Sequence, residues 1–398
     1  MELPHRRSPL TALFSYLGAY IAVGLLISSP AKAQVNGPGP SLSTSFDTVL
    51  NLPGDEAIIT GGILESIGGV PGETTQLNVG NGGIVGLLFD ALSGSEVNVN
   101  SGGNLGSGFN ALSGSEVNII SGNVGNNFDA FPDSVVNISG GAVGSSFNAF
   151  SGSVVNISGS AVGDDFNAFS GSEVNISGGL VGDNFEAFSG SVVNISQGTL
   201  GDNFDALPGS EVNISAGRLG DNFQAFSDSV VNISGGMVGS FFEASDGSVV
   251  NISGGAVGES FNALFGSEIN ISGGTLDSFF EASDGSVVNI SGGFVGDDFN
   301  ALAGSQINIL GSGFLLGGVE LDTLLPGQAF TIFDRDVNLT GVHAGGGAFS
   351  LDLNSTFPEG SDFFDSEATV TVTIPVPEPS SLTLVSMVLA MGLARRRR

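Results

Sequence analysis

The sequence predicts an all-β protein, a parallel β-solenoid (β-helix) of about 12 coils with a 19-residue period. Three observations support this fold class. A phenylalanine recurs at every nineteenth position from Phe109 to Phe299, and an asparagine keeps the same step from Asn118 to Asn308. Short segments alternate apolar and polar residues, and glycine-rich stretches separate those segments. Because a 19-residue unit is too small to bury its own apolar side chains, neighbouring copies must stack into one continuous core.

Each coil is predicted to hold two or three short strands joined by glycine corners. The segment Val136-Asn137-Ile138-Ser139 alternates at period two and is rich in β-branched residues, as in a half-buried strand. Phe185-Glu186-Ala187 alternates in the same way. A glycine pair such as Gly140-Gly141 would break any helix placed there, so we expect no helix inside the repeat.

Residue parity assigns the core of the coil. The inward set of one coil is predicted to be Val136, Ile138, Val143, Phe147 and Ala149, with the phenylalanine rings of successive coils stacked on one another. The intervening positions of the first strand must face water because several coils place a glutamate there, as at Glu116, Glu173, Glu211 and Glu268.

Five segments are predicted in order along the chain. They are a signal peptide (1–33), an N-terminal cap (34–71), the solenoid repeats (72–310), a β-rich C-terminal cap (311–374) and a C-terminal tail (375–398). The caps are needed because an uncovered terminal coil would expose unpaired backbone groups and favour edge-to-edge association.

The first segment has the pattern of a secretory signal peptide. Basic residues at positions 5–7 precede an apolar run over residues 10–27, and the small-x-small sequence of Ala31 and Ala33 marks a cleavage site. The mature chain should begin near Gln34, and we expect it to be exported.

The tail combines a turn motif, a short apolar stretch and a basic end. Pro377, Glu378 and Pro379 precede an apolar stretch over residues 382–394. That stretch is shorter than the about 20 residues of a usual membrane-spanning helix. The chain then ends in four arginines, Arg395, Arg396, Arg397 and Arg398. In this order the features resemble the PEP-CTERM sorting tail of Gram-negative bacteria.

The resemblance implies that a membrane protease of the exosortase type processes the tail. Before processing, the apolar stretch would be a helix in the membrane, with the arginines on the cytoplasmic side. The resemblance also implies a location in the cell envelope, at the cell surface or in the extracellular matrix, where exopolysaccharide is a candidate partner. More broadly, the layout of glycine-rich coils, β cap and sorting tail resembles exported repeat proteins of planctomycetes and related bacteria.

The mature body is strongly acidic. Apart from the two targeting segments it has 38 carboxylates against two cations, Arg218 and Arg335, which leaves a net charge of about −36. Such a surface repels nucleic acid and anionic lipid, so nucleic-acid binding is excluded as a function. The chain has no cysteine, which fits an exported protein whose stability comes from repetition.

Nothing in the repeats breaks their regularity to build a catalytic cleft, and we expect the protein not to be an enzyme. Adjacent carboxylates occur in the coils as Asp164-Asp165 and Asp297-Asp298, at a repeat position that other copies fill with Asn126-Asn127 or Ser145-Ser146. His343 lies in the cap beside a glycine run, with no carboxylate triad nearby in sequence. A polysaccharide-active β-helix enzyme is therefore the weakest alternative.

One acidic column is a candidate metal site. Like charges spaced about 5 Å apart repel one another unless a cation bridges them or solvent screens them. Calcium is a hard cation that favours such oxygen ligands. The alternative is a row of solvated charges, and no other cofactor is expected. The column consists of one aspartate from each of four successive coils: Asp164, Asp183, Asp202 and Asp221.

The triplet Asn-Ile-Ser occurs nine times and is formally a glycosylation acceptor. Since these asparagines fall in predicted strands, we expect a ladder of side-chain amides hydrogen-bonded from coil to coil instead. The same face gives a flat polar grid of the kind that binds polysaccharide or ice, but threonine arrays and an exposed aromatic row are missing. We therefore predict an exported structural or adhesive solenoid, with a polysaccharide- or ice-binding module as the alternative.

Overall fold

The computed structural model describes residues 33–35, 48–52, 66–67, 75–80, 84–321, 324–356 and 361–376. Over these ranges the fold is all-β without a helix, a parallel β-solenoid of about 12 turns with a period of about 19 residues. Within the same ranges no helix is long and apolar enough to span a membrane. The chain forms two compact units, residues 1–167 with 171–175 and residues 168–170 with 176–398.

Each regular coil of the first unit has three strands, named here the Asn strand, the Val strand and the Phe strand after their most regular residues. In one coil they are Val135–Ile138, Ala142–Val143 and Asn148–Ala149. The other Asn strands are Thr75–Val79, Ser95–Val99, Glu116–Ile119 and Val154–Ile157. The other Val strands are Ile84–Val85, Asn104–Leu105, Asn123–Val124 and Ala161–Val162. The other Phe strands are Asp90–Ala91, Asn110–Ala111, Asp129–Ala130 and Asn167–Ala168.

Pairing between coils is parallel and in register, so equivalent residues lie above one another. Asn118 pairs with Asn137, and Ala130 pairs with Ala149. Parallel pairing also involves three strands upstream of residue 72, where the repeats were predicted to start. Those strands are Ala33–Val35, Thr48–Leu52 and Ser66–Ile67.

In the second unit the Asn and Val strands of most coils join into one bent strand. In several of these strands the pairing register shifts at the glycine corner, as after Ile233. The joined strands are Val192–Leu200, Val230–Val238, Val249–Val257, Glu268–Leu276, Val287–Val295 and Gln306–Leu316, while Glu211–Ile214 stays short. Glu173–Val181 is a joined strand too, with residues 173–175 assigned to the first unit and residues 176–181 to the second. The Phe strands are Phe185–Ala187, Phe204–Ala206, Gln224–Ala225, Glu243–Ala244, Asn262–Ala263, Glu281–Ala282 and Asn300–Ala301.

The core follows the predicted parity. Val136, Ile138, Phe147 and Ala149 are at most 1% exposed, and Val143 is 3% exposed. Rings of successive coils stack at 4.7–5.3 Å in the first unit. In the second unit the rings are almost parallel up to Phe242, and from there to the cap they tilt by 51–72°. The predicted ladder of aromatic rings is confirmed within each unit.

A left-handed corner precedes each core phenylalanine. Ten residues at this position, among them Asn127, Ser146 and Asn184, have φ between 58° and 65°. The N–H groups of eight of them donate to a carbonyl of the next coil, as from Asn184 to Asp202 at 2.9 Å. Asn, Asp and Gly tolerate this conformation best among the amino acids.

The C-terminal cap is built around one further coil. Phe363–Phe364 and Thr369–Thr373 pair in parallel with Asn300–Ala301 and with the start of Gln306–Leu316. Ala329–Ile332 then pairs antiparallel with Thr369–Thr373. The remaining cap strands, Val319–Glu320, Asn338–His343 and Ala348–Asp352, form antiparallel pairs that begin on the end of Gln306–Leu316.

Candidate functional site

The outer face of the Asn strands carries the predicted ladder of side-chain amides. In the first unit Asn137 Nδ2 donates to Asn118 Oδ1 at 2.9 Å, and Asn156 Nδ2 donates to Asn137 Oδ1 at 2.9 Å. In the second unit the same bond recurs at 2.8–3.0 Å between coils from Asn194 to Asn308. Because these amides are half-buried and bonded to one another, the ladder interpretation of the Asn-Ile-Ser triplets is confirmed.

Glutamates on the same face complete the ladder. The second N–H of Asn213 donates to Glu211 Oε1 at 3.0 Å, and Asn270 donates to Glu268 Oε1 at 3.1 Å. These glutamates are exposed, as their predicted outward parity required. The carboxylate two residues before each of these asparagines therefore accepts the side-chain N–H that does not bond to the neighbouring coil.

The outer row of the Phe strands contains an unfavourable pair of acids. Glu186 and Asp205 are register partners in adjacent coils. Burial raises the pKa of Asp205, and the negative charge of Glu186 raises it further. In the first unit the equivalent neighbours are complementary, since Asn148 Nδ2 donates to Asp129 Oδ1 at 2.7 Å.

The acidic column forms a corner ladder of its own. In the second unit the N–H of Asp202 donates to Asp183 Oδ1 at 2.9 Å, and the N–H of Asp221 donates to Asp202 Oδ1 at 2.9 Å. Asp221 in turn accepts the N–H of Ser240 at 2.8 Å. One oxygen of each of these three carboxylates thus bonds to the backbone of the next coil.

Asp164, the fourth member of the column, belongs to the first unit and is exposed. Among the described residues no three His, Cys, Asp or Glu side chains are grouped so as to hold a metal ion. Calcium binding by this column stays a prediction.

The paired carboxylates and the histidine occupy structural positions. Asp165 and Asp298 are corner residues with left-handed backbone. His343 is buried in the cap, where its ring stacks on Phe349 with centroids 4.6 Å apart. Burial lowers the pKa of His343, which favours the neutral ring.

Asp362 and Arg335 are two buried or half-buried cap groups that the sequence did not single out. Asp362 accepts the N–H of Phe299 at 3.1 Å and the N–H of Asp352 at 3.0 Å. Burial raises the pKa of Asp362 in spite of those bonds. Asp362 lies in the non-repeating cap, so the repeat pattern could not predict its two hydrogen bonds.

The sequence predicts no exposed aromatic row, yet several individual phenylalanines are exposed. In the second unit Phe241, Phe265, Phe279 and Phe294 are 53%, 61%, 49% and 59% exposed. Phe241 and Phe279 each precede a core phenylalanine, Phe242 and Phe280. The inward position takes only the second ring, and the first ring is left at the left-handed corner.

Residues 375–398 match the family model of the PEP-CTERM protein-sorting motif. The chain carries a PEP-CTERM sorting tail. No curated protein matches the sequence. The PEP-CTERM motif marks the protein as exported and targeted to the cell envelope, and it implies processing by an exosortase-type system.

The individual targeting residues fall almost wholly outside the described ranges. Ala31 lies there, as do the sorting residues Pro377, Glu378 and Pro379 and the stop signal Arg395 to Arg398. Ala33 is the first described residue, in the strand Ala33–Val35. The signal peptide and the apolar sorting helix therefore stay predictions.

Proposed function

We propose that the protein is a non-enzymatic structural or adhesive solenoid that the PEP-CTERM tail delivers to the cell surface or extracellular matrix. The observation that supports this proposal most is the match of residues 375–398 to the sorting motif, next to a body made of regular coils. In the second unit the asparagine row and the acidic corner column are bonded from one coil to the next, an arrangement suited to a durable scaffold.

A carbohydrate-binding role is the second candidate, since the second unit has exposed phenylalanine rings beside polar side chains. Aromatic rings supply a large contact area at low entropic cost. A scaffold in the matrix and a glycan-binding scaffold are compatible functions.

The proposal is tested by altering the tail in the native host. We expect a variant that ends at Ile374 to be exported but lost from the envelope and matrix fractions, because the sorting motif is absent. A matched variant, Arg218→Ala, changes an exposed cation outside the tail and should leave the location unchanged. Unchanged location of the truncated protein would contradict the proposal.

A further inference from the structure

Exposed phenylalanines of the second unit lie at the left-handed corner of the coil and in the strand that leads to that corner. Phe241 and Phe279 occupy the left-handed corner position two coils apart, with φ of 63° and 65°. Phe294 lies in the coil after Phe279, four residues before the corner residue Asp298 of its own coil. Met237, which is 49% exposed, has the equivalent place before Phe241. We name these four side chains the aromatic strip.

The fold gives no reason for phenylalanine at these corners. The N–H of Phe241 donates to Glu259 O at 2.8 Å, and the N–H of Asn222 makes the same bond to Ser240 O at 2.9 Å. Asparagine at the corner therefore supports the same backbone. A bulky residue is disfavoured in this conformation, whereas asparagine and aspartate tolerate it.

Exposure of the rings adds to that disfavoured backbone. About half of each corner ring faces water, so neither ring contributes as a core residue does. A ligand that covers these rings would offset the cost of keeping a large apolar side chain strained and exposed. A contiguous exposed apolar patch of a few hundred Å² often marks a binding surface.

We propose that the aromatic strip binds a neutral, extended β-1,4-linked polysaccharide by stacking sugar rings on the phenylalanines. The corners of Phe241 and Phe279 are separated by about 10 Å, twice the spacing of about 4.8 Å between hydrogen-bonded strands. That separation suits alternate sugar rings of such a chain, which present the same face to one side. Ser260 occupies the corner between the two phenylalanines and offers a hydroxyl to the glycan.

The size and charge of the strip favour a glycan over a protein. Three half-exposed rings offer roughly 300–400 Å² of apolar surface, well below the about 800 Å² per partner of a stable protein interface. The formal net charge of the chain is −31, and Glu259 and Asp298 lie in the same group of coils. An anionic polymer would be repelled from such a surface, whereas a neutral polymer is not.

The inference rests on the proposed adhesive role and gives it a site and a ligand class. Binding is measured on the purified protein, whereas sorting is measured in the host. A correctly sorted protein that ignores the glycan would contradict this inference and leave the proposed location intact.

Affinity electrophoresis of the full native chain in gels containing hydroxyethyl cellulose tests the proposal. Wild type should be retarded by this neutral β-1,4-linked polymer and not by alginate, which is anionic. The double variant Phe241→Asn and Phe279→Asn should bind at least about tenfold more weakly, because two of three stacking rings are removed. It should still fold, since Asn184, Asn203 and Asn222 occupy the same corner.

Phe265→Ser is the matched control. Phe265 is as exposed as the strip residues but lies at a different corner, where Ser151 and Ser170 stand in other coils. Its removal should leave retardation unchanged. The proposal is overturned if wild type is not retarded, if the double variant binds like wild type, or if Phe265→Ser weakens binding equally. If, in the absence of glycan, the double variant sediments differently from wild type, the rings form an interface between copies of the chain. That result also overturns the proposal.

Discussion

At the residue scale, a core phenylalanine touches the equivalent ring in the coils on both sides. The ring centroid of Phe223 lies 4.8 Å from that of Phe204 and 4.7 Å from that of Phe242, with interplanar angles of 3° and 6°. Removing one ring therefore leaves a void that two neighbours border. Dense packing of such a column means that the coils above and below respond together.

We expect Phe223→Ala to lower the free energy of unfolding by about 3–5 kcal/mol, the usual cost of truncating a buried aromatic side chain. Denaturant unfolding followed by circular dichroism measures it. The exposed control Phe265→Ser should change stability by less than about 0.5 kcal/mol. Equal transitions for Phe223→Ala and wild type would refute the stacked core.

The pair of Asp205 and Glu186 predicts a pH-dependent stability. Burial first, and Glu186 second, raise the pKa of Asp205 above its ordinary 3.8. Protonated Asp205 therefore contributes its full share to the free energy of unfolding below pH 3.8. That contribution is lost as the pH rises through the raised pKa of Asp205. At neutral pH the ionised pair opposes folding.

Asp205→Asn should therefore raise the melting temperature at neutral pH, and the gain should shrink as the pH falls towards 3.8. Thermal melts at a series of pH values measure this difference. Asp246→Asn, at an exposed turn, is the control. A gain that is equal at every pH would show that the charge of Asp205 is not its cause.

At the element scale, Arg335 joins two segments of the C-terminal cap, its own segment and residues 364–368. Its guanidinium donates to the carbonyl oxygens of Phe364, Asp365 and Ala368, and to those of Ile332 and Asp334 on its own segment. Burial lowers the pKa of Arg335, while Asp365 and Asp334 act in the opposite direction. The planar guanidinium thus satisfies carbonyl oxygens on its own segment and on residues 364–368.

Arg335→Ala should destabilise the protein by about 2–3 kcal/mol, since charged hydrogen bonds are lost and carbonyls stay unpaired. Arg335→Lys should recover only part of this loss, because an ammonium group lacks the planar fork. Chemical denaturation and limited proteolysis of the cap measure both effects. Arg218→Ala removes the other cation of the mature body at an exposed repeat position and should be neutral. A similar loss of stability in both alanine variants would show that the hydrogen bonds of Arg335 are not its cause.

Periodicity accounts for what the sequence predicts well. Inward parity, stacked rings and the asparagine ladder all repeat at 19 residues, so each of many copies supports the same inference. The contacts of Arg335 join residues about 30 positions apart, and no coil within the described ranges repeats them. The corner rings were missed because left-handed backbone depends on a bond to the next coil, which a Phe-Phe pair does not reveal.

At the scale of the whole molecule, export and repetition explain the composition. The coils obtain their stability from packing and hydrogen bonds between identical neighbours, without any cysteine. The high negative charge opposes association with anionic surfaces and keeps the body soluble. The PEP-CTERM motif targets the protein to the envelope, and the coils form the body of the exported protein.

Intact-mass analysis of the protein from envelope and matrix fractions of its native host tests the central claim most directly. We expect a product that begins near Gln34, lacks the C-terminal tail and is found outside the cytoplasm. A full-length chain that retains Met1 and Arg398 and stays in the cytoplasm would contradict it.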